Sequence, residues 1–354
     1  MNVAIVIPTI NRPDFIHRQL RYYANMSCQH PIYIGDSSND EYIDINSKTV
    51  KSYSNQLDIK HLHLQGKNDL QAIHELLKTT KEPYAAFIAD DDILVPESLS
   101  ICSAFLDNNP AYRMVSGTSL LSYIQNDGAY GPIDSVSQYK QLPLEGASAS
   151  ERLINFMSNY FVTLFYVHHT DEFMEHIKLA ESIPDKSFRE LLSCCASIVN
   201  GNAYVLNQLH MVRQNHSERY FLPDSIDWVS NSDWSHSYNK FASLLSNQLA
   251  ISDGISVRHA DDIVKRAFWS YFSRELSIKF QQKYRTKNRL DSRLLAKMKK
   301  SSIVDHGIRL SRRFLPGSKH KIHIDTILSK NSPHRESFQN IYRSIEEAPI
   351  ITEE

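Results

Sequence analysis

Three consecutive aspartates, Asp90-Asp91-Asp92, directly follow an apolar run that ends at Ala89. They offer several hard oxygen ligands within one turn, which suits Mg²⁺ or Mn²⁺ but not zinc, whose sites favour His and Cys. Without a cation, the three carboxylates would repel one another and their pKa values would rise. Because a divalent ion with few protein ligands completes its shell with substrate phosphates, the triplet predicts a nucleoside diphosphate ligand.

Two more polar segments follow apolar runs near the N-terminus. Thr9 to Arg12 follows the run 3–8, and Asp36-Ser37-Ser38 follows the run 31–35. An acidic triplet by itself is more often a solvated turn, so the prediction depends on the coincidence of all three segments. In an open parallel sheet, ligands bind beyond the carboxyl ends of the strands, where the loops converge. We therefore expect these segments to meet at one site.

Short apolar runs alternate with segments of helical periodicity, which predicts a mostly parallel sheet with right-handed crossovers. Asn11 is expected to cap the first helix, and Pro13 suits its first turn. The predicted strands are 3–8, 31–35, 59–64, 84–89 and 112–121, and the predicted helices among them are 11–24, 69–80 and 96–108.

The pattern beyond residue 121 is less regular. Residues 125–147 look like a loop, and Ser148 with Glu151 has the spacing of a capping box for a helix that runs to about 160. Further strands are predicted at 161–167 and 203–209, and further helices at 170–182, 186–200 and 255–300. The last 40 or so residues are polar and are expected to be partly loose.

Composition excludes several classes of protein. Hydrophobic residues make up 42% of the 354 residues and charged residues 22%, as in soluble globular chains. No two glycines have a G-x-G spacing, which excludes a dinucleotide-binding fingerprint and a P-loop. The four cysteines form no C-x-x-C pair, and the chain has neither a basic leader nor a run of 18 apolar residues. We therefore expect a cytoplasmic protein.

The net charge of −1 hides an asymmetry. The segment 274–321 contains 15 basic and 3 acidic residues, a charge of +12, and the remainder of the chain therefore carries −13. Such a segment is typical of contact with an anionic partner, either phospholipid head groups or nucleic acid. The alternative is a solvated helical face. Because no aromatic stacking platform accompanies the basic residues, nucleic acid is not expected.

The N-terminal motifs resemble those of glycosyltransferase family 2, whose members have the GT-A fold. The resemblance covers about residues 1–220 and implies an α/β GT-A sandwich with a mostly parallel sheet and a C-terminal helical appendage. It implies a catalytic domain at 1–222 with a nucleotide-sugar-binding half (1–124) and an acceptor-binding half (125–222), then a basic helical region at 223–330 and a polar tail at 331–354. The residues that carry it are Val3-Ala4-Ile5-Val6-Ile7-Pro8-Thr9 with Asn11-Arg12, Ile34-Gly35-Asp36-Ser37-Ser38, and Phe87-Ile88-Ala89-Asp90-Asp91-Asp92 with Pro96.

The resemblance implies roles for the residues at the donor nucleotide. Asp36 would bind the base, typically uracil, and Lys67-Asn68 would form a polar loop beside the nucleotide. The other nucleotide-binding residues would be Pro8, Thr9, Asn11 and Arg12.

The resemblance also implies a metal site for Mn²⁺ or Mg²⁺. Asp90 and Asp92 are similar to the two ends of the family's D-x-D motif, with Asp92 in direct contact with the metal and Asp90 or Asp91 near the ribose. His216, in the stretch Arg213-Gln214-Asn215-His216, lies where some GT-A enzymes bring a His to the metal or a basic group to the diphosphate.

Family members invert the anomeric centre with a general base, which usually comes from an acidic pair at the start of a helix. The stretch Phe188-Arg189-Glu190-Leu191-Leu192 is similar but has a single acid, followed by Leu. Glu190 is the first candidate for the base and Asp185 the second. The remaining interpretation is that Glu190 is an exposed helix residue without a catalytic role.

The resulting hypothesis is a metal-dependent, inverting glycosyltransferase that uses a nucleotide-diphosphate sugar, typically UDP-linked. Its acceptor would be a glycan or a lipid-linked glycan, with peripheral contact to an anionic membrane through 274–321. A Q-x-x-R-W motif is absent, which favours single additions over processive synthesis. The alternatives are a nucleotidyltransferase, disfavoured because no Gly-rich loop follows the first strand, and a non-catalytic nucleotide-sugar-binding module.

Overall fold

The computed structural model describes residues 1–125, 127–216, 222–287 and 321–348. Four parallel strands form the N-terminal half of its sheet: β1 (Val3–Thr9), β2 (Ile32–Asp36), β3 (Ile59–His63) and β4 (Tyr84–Phe87). Their spatial order is β4-β1-β2-β3, and Ile5 of β1 lies opposite both Ile32 and Ala86. The connecting helices are α1 (Pro13–Asn25), α2 (Asp40–Tyr53) and α3 (Asp69–Thr79).

The apolar residues of β1 explain why it lies at the centre of the sheet. Val3, Ile5 and Ile7 pack into one hydrophobic cluster, and Ala4 and Val6 pack into a second cluster on the opposite face. All five side chains are fully buried. An uninterrupted apolar run is typical of a strand that is covered by helices on both faces, as the sequence predicts here.

The second half of the sheet is joined to the first through antiparallel pairing. A short β5 (Ile93–Leu94) and α4 (Pro96–Asn108) lead to the long strand β6 (Tyr112–Ile124), followed by β7 (Ile133–Tyr139), α5 (Ala149–Ser158), β8 (Val167–His169), α6 (Thr170–Glu181), α7 (Lys186–Asn200) and β9 (Asn202–Asn215). β8 lies between β4 and β6, whereas β9 runs parallel to β6. The end of β9 thereby comes close to the end of β4.

Helices α8 (Ser225–Val229), α9 (Trp234–Asp253) and α10 (Val257–Lys287) pack against α5 and α7. Aromatic rings fill this contact, with Phe188 of α7 against Trp228, Phe241 and Phe268. No helix among the described residues is long and apolar enough to cross a membrane. Most of the basic segment 274–321 lies outside the described residues, from 288 to 320.

The described C-terminal residues return to the first half of the fold. They form β10 (Lys321–Ile322), α11 (Ile324–Ile327) and α12 (Arg335–Glu346), and β10 pairs with β7. The apolar face of α12 is buried through Phe338, Ile341 and Ile345, and α12 packs against α1. The expectation of a loose C-terminus therefore does not hold for 335–346.

Several other local predictions are wrong. The predicted loop 125–147 contains β7, whose sequence Ile-Asp-Ser-Val-Ser-Gln-Tyr has too few aliphatic residues to indicate a strand. The predicted strand 161–167 is paired only from Val167 onward. Asn11 does not cap α1: it has a φ of 55°, and Arg12 precedes the helix without a side-chain cap. In contrast, the predicted helix 186–200 is confirmed as α7.

Candidate functional site

A cavity of about 630 Å³ lies beyond the carboxyl ends of β1 and β4, where the sequence predicts a ligand site. Eight of the predicted site residues line it: Pro8, Thr9, Arg12, Lys67, Asn68, Asp90, Asp91 and Glu190. The remaining polar lining residues are Ser37, Asp69, Lys186, Arg189 and Arg213, and its apolar wall includes Ile10, Leu70, Ile73, Phe87, Val162, Leu164, Phe165 and Leu222. The structure therefore brings the acidic turn and one candidate base to the same cavity.

Asp90 is held at the cavity wall by two residues that follow β1. Thr9 Oγ1 donates to its Oδ2 at 2.8 Å, and Arg12 Nη1 donates to its Oδ1 at 3.0 Å. Burial and the neighbouring charge of Asp91 raise the pKa of Asp90 to about 6, although Arg12 opposes the shift. Two of the three predicted polar segments, Thr9–Arg12 and the acidic triplet, are thus in direct contact.

Asp91 also faces the cavity and lies beside His216. The Nε2 atom of His216 is 2.8 Å from Asp91 Oδ2, and the same oxygen accepts from Arg12 Nη1 at 3.2 Å. Burial alone would raise the pKa of Asp91, but the contact with His216 and the attraction of Arg12 and Arg213 lower it. The ring of His216 stacks on Phe15 with the centroids 5.3 Å apart. These contacts therefore favour the ionised form of Asp91 at the cavity.

Asp92 does not reach the cavity, contrary to the prediction that it contacts the metal. Its side chain is fully buried, Arg213 Nε donates to its Oδ2 at 2.7 Å, and the backbone N of Gln214 donates to its Oδ1 at 2.9 Å. Burial by itself would lower the pKa of the Arg213 guanidinium. The attraction of Asp92 outweighs this effect, so the pKa of Arg213 is raised. Asp92 is thus a structural anchor for the end of β9, since both of its oxygens are already engaged.

Two buried residues of α1 fix the backbone of the acidic turn. Gln19 Nε2 donates to the carbonyl oxygens of Ala89 at 2.9 Å and Asp92 at 2.6 Å, and Arg18 Nη2 donates to that of Asp91 at 2.7 Å. Both side chains are completely buried. Sequence analysis missed them, because a polar residue within an amphipathic helix pattern is usually on the solvent face.

Glu190 lines the same cavity as the acidic turn. Tyr160 Oη donates to its Oε1 at 2.9 Å. Burial raises the pKa of Glu190, and the hydrogen bond from Tyr160 partly opposes this shift. A half-buried carboxylate with a raised pKa, facing a ligand cavity, is suited to accept a proton.

Asp185, the second candidate for the base, has a structural role instead. Its Oδ1 caps α7 by accepting from the backbone N of Phe188 at 2.9 Å and accepts from Trp228 Nε1 at 3.0 Å. Asp185 does not line the cavity. Of the two candidates, only Glu190 is in a position to meet a ligand there.

Asp36 and Asn11 are also not in the positions that the resemblance implies. Asp36 is fully buried, and its carboxylate accepts from Ser38, Asn46 Nδ2 (2.8 Å) and His61 Nε2 (3.1 Å), so it cannot bind a base without rearrangement. Asn11 Oδ1 accepts from the backbone N of Asn39, which joins the two loops after β1 and β2. Both residues shape the loops around the cavity rather than line it.

Asn68 and Lys67 lie at the start of α3. The side chains of Asn68 and Gln71 form a reciprocal capping box at the N-terminus of this helix. Lys67 Nζ is 3.1 Å from Glu75 Oε1, and this lysine is 40% exposed. The predicted polar loop beside the cavity is therefore present, with its lysine able to exchange a surface partner for a ligand.

Two of the residues present fit a divalent cation. The Nδ1 atom of His216 is buried and has no hydrogen-bond partner among the residues that the structure describes, and its Nε2 faces the Asp91 carboxylate. Carboxylate and imidazole are suitable ligands for Mn²⁺. In the same described part of the chain, no group of three or more His, Cys, Asp or Glu could hold a metal. Asp91 lines the cavity, whereas His216 is buried and does not line it.

Comparisons with known proteins identify the fold. No protein-family model and no curated protein sequence matches the chain. A crystal structure of S. aureus TarS residues 1–349 in complex with UDP-GlcNAc matches with a TM-score of 0.50 and 17% identity over 77% of this chain and 73% of that chain.

Two further TarS crystal structures give TM-scores of 0.49. One is another structure of residues 1–349, with 16% identity over 77% of this chain and 72% of that chain, and the other has 15% identity and matches over 77% and 44%. At these identities the likeness shows the fold alone. The predicted α/β fold class of GT-A type, with helices after the sheet, is confirmed.

Proposed function

We propose that this protein transfers a sugar from a nucleoside-diphosphate sugar, with UDP as the preferred nucleotide, to a hydroxyl of a glycan or lipid-linked acceptor. The observation that carries the proposal is that one cavity contains the acidic turn Asp90-Asp91 with three nearby cations and the half-buried carboxyl of Glu190. The cations are Arg12, Lys67 and Arg213. The UDP-GlcNAc in the TarS crystal structure supports this choice of donor.

The donor diphosphate is expected at the cationic side of the cavity. Arg12 and Arg213 are ion-paired with aspartates of the turn, so their charges are held in place at this wall. Guanidinium groups bind phosphate oxygens in a bidentate manner, and they stabilise the negative charge that develops on the leaving diphosphate. Thr9, Pro8 and the Lys67-Asn68 loop would border the nucleoside.

Asp91 and His216 are the residues that would hold Mn²⁺ or Mg²⁺. When bound, such an ion supplies positive charge to the diphosphate and so makes it a better leaving group. Asp90, whose oxygens accept from Thr9 and Arg12, would position the turn and the nucleotide.

Glu190 is the proposed general base. Its carboxylate takes the proton of the acceptor hydroxyl while that oxygen forms a bond to the anomeric carbon. The bond from this carbon to the diphosphate oxygen breaks, and the electron pair leaves with the nucleoside diphosphate. Because the nucleophile attacks opposite to the leaving group, the configuration inverts.

The acceptor and the membrane contact belong to the same proposal. A lipid-linked glycan at the cytoplasmic face of a membrane would be reached by a peripheral enzyme with an attached basic segment. Residues 274–287 of that segment belong to α10, and Lys279 Nζ lies 3.4 Å from Asp224 Oδ2. The positive charge of 274–321 is the property expected to attract anionic lipid.

Binding of UDP and its sugars is expected to stabilise the protein in a metal-linked manner. At a hundredfold excess of the cognate ligand over its Kd, the free energy of unfolding should rise by about 2.7 kcal/mol. The measurement is a thermal-shift panel of nucleoside diphosphates and their sugars with and without Mn²⁺, with the corresponding nucleosides as controls. If no member of the panel gives a metal-linked shift, the proposed function is wrong.

Replacement of Tyr160 should shift the acid limb of the profile of kcat against pH. Transfer requires ionised Glu190, so kcat should fall as the pH drops through the pKa of this residue, which burial raises. The hydrogen bond from Tyr160 stabilises the ionised form, and Tyr160→Phe should therefore move the acid limb to higher pH. The measurement is kcat against pH, with Tyr42→Phe on α2 as the control. An acid limb that stays in place or moves to lower pH in Tyr160→Phe would contradict the role of Glu190.

A further inference from the structure

We propose that Arg189 binds an anionic group of the acceptor, next to the hydroxyl that reacts. This inference rests on the proposed sugar transfer and specifies its acceptor as acidic, with a phosphate or a carboxylate near the site of attack.

Helix α7 presents its basic residues and the proposed base to the same cavity. Lys186, Arg189 and Glu190 all line it: Lys186 lies three and four residues before the other two, and Arg189 and Glu190 are adjacent in the chain. A ligand that reaches Glu190 therefore occupies the cavity that Arg189 also lines. Because the base must touch the reacting hydroxyl, this part of the cavity belongs to the acceptor.

Among the residues that the structure describes, Arg189 differs from the other arginines of the cavity because it has no counterion. Within the described ranges, no carboxylate lies within ion-pair distance of its guanidinium, and it makes no side-chain hydrogen bond. The charges that act on Glu190 are instead those of Arg213 and Asp69. Three other cations of the cavity have carboxylate partners within the chain: Arg12 pairs with Asp90 and Asp91, Arg213 with Asp92, and Lys67, at the surface, with Glu75.

A half-buried guanidinium without a counterion is matched best by an anion from the ligand. The planar donors of arginine fit the two oxygens of a phosphate or carboxylate, which gives both orientation and charge pairing. The donor diphosphate has its own cations at the acidic turn, Arg12 and Arg213. An acidic acceptor would thus be oriented by Arg189 so that its neighbouring hydroxyl meets Glu190.

The experiment measures binding of short oligosaccharides to the full chain that is saturated with UDP and Mn²⁺. The probes are a neutral cello-oligosaccharide, an oligogalacturonate that carries carboxylates, and a phosphorylated oligosaccharide of the same length. Arg189→Ala should weaken binding of at least one acidic probe by on the order of tenfold. Arg189→Lys should recover part of the loss, and Arg258→Ala, which removes an exposed arginine of α10, should have no effect. UDP binding should be the same in all of these variants.

The outcomes separate this inference from the proposed function. If UDP binds with metal but Arg189→Ala leaves the affinity for both acidic probes unchanged, or the acidic probes bind no better than the neutral one, the acidic acceptor is wrong and the donor assignment stands. If the acidic probes compete with UDP, they occupy the donor site and the inference is overturned. If UDP itself does not bind, the proposed function fails first. Preference for the phosphorylated probe or for the oligogalacturonate identifies which anion the acceptor carries.

Discussion

Replacement of Glu190 by Gln is expected to lower the kcat of sugar transfer by roughly 10²- to 10⁴-fold, the range for loss of a general base. Glutamine has nearly the same shape as glutamate and can still accept a hydrogen bond from Tyr160, but it cannot take the proton of the acceptor hydroxyl. The Kd for UDP should not change, because the proposed donor contacts are Arg12, Arg213 and the acidic turn, not Glu190. Initial rates with saturating donor, together with UDP titrations, measure both effects.

Asp185→Asn is the matched control for this experiment. Asp185 is five residues away and is also acidic, but its Oδ1 caps α7 and accepts from Trp228. Its replacement should cost about 1 kcal/mol of stability, as other cap replacements do, and leave kcat within a few-fold of the wild-type value. Normal transfer by Glu190→Gln would refute the assignment of the base, and loss of transfer in Asp185→Asn alone would reverse the order of the two candidates.

The position of the site could be predicted from the sequence because it follows from topology. Parallel strands place their carboxyl ends at one edge, so Thr9 and Asp90 had to meet once β1 and β4 were neighbours. The apolar runs that indicate these strands are short and clear. Glu190 was predicted as a site residue from the family resemblance and from the helical pattern of 186–200. The structure confirms this helix as α7.

The direction of individual side chains could not be predicted, since it depends on residues far away in the chain. Asp91 and Asp92 are neighbours in one turn, and Arg213, 121 positions after Asp92, binds Asp92 and leaves Asp91 to line the cavity. Asp36 is similarly covered by Asn46 and His61. The spacing of residues along the chain does not indicate these partners. The sequence therefore identified the acidic turn but not the role of each aspartate within it.

The buried charge of Asp92 leads to the largest expected effect on stability. Asp92→Ala removes the counterion of Arg213 and the acceptor for the backbone N of Gln214. Loss of one partner of a buried ion pair costs about 3 to 5 kcal/mol, and the lower end applies here because the Arg213 side chain is 25% exposed. Urea unfolding at neutral pH without nucleotide measures this change. Asp91→Asn should be much less destabilising, because Arg12 keeps its ion pair with Asp90.

Asp91→Asn, the more stable of the two variants, should be the one that loses its response to metal. Asp91→Asn should lose most of the Mn²⁺-linked stabilisation by UDP, whereas the surviving folded fraction of Asp92→Ala should keep it. A double-mutant cycle with Arg213→Met tests the cause of the stability loss, since the second replacement should cost less in the Asp92→Ala background than in the wild type. If instead Asp92→Ala is as stable as the wild type and has lost the response to Mn²⁺, Asp92 is the metal ligand that the family motif implies, and the buried ion pair is not the reason for its position.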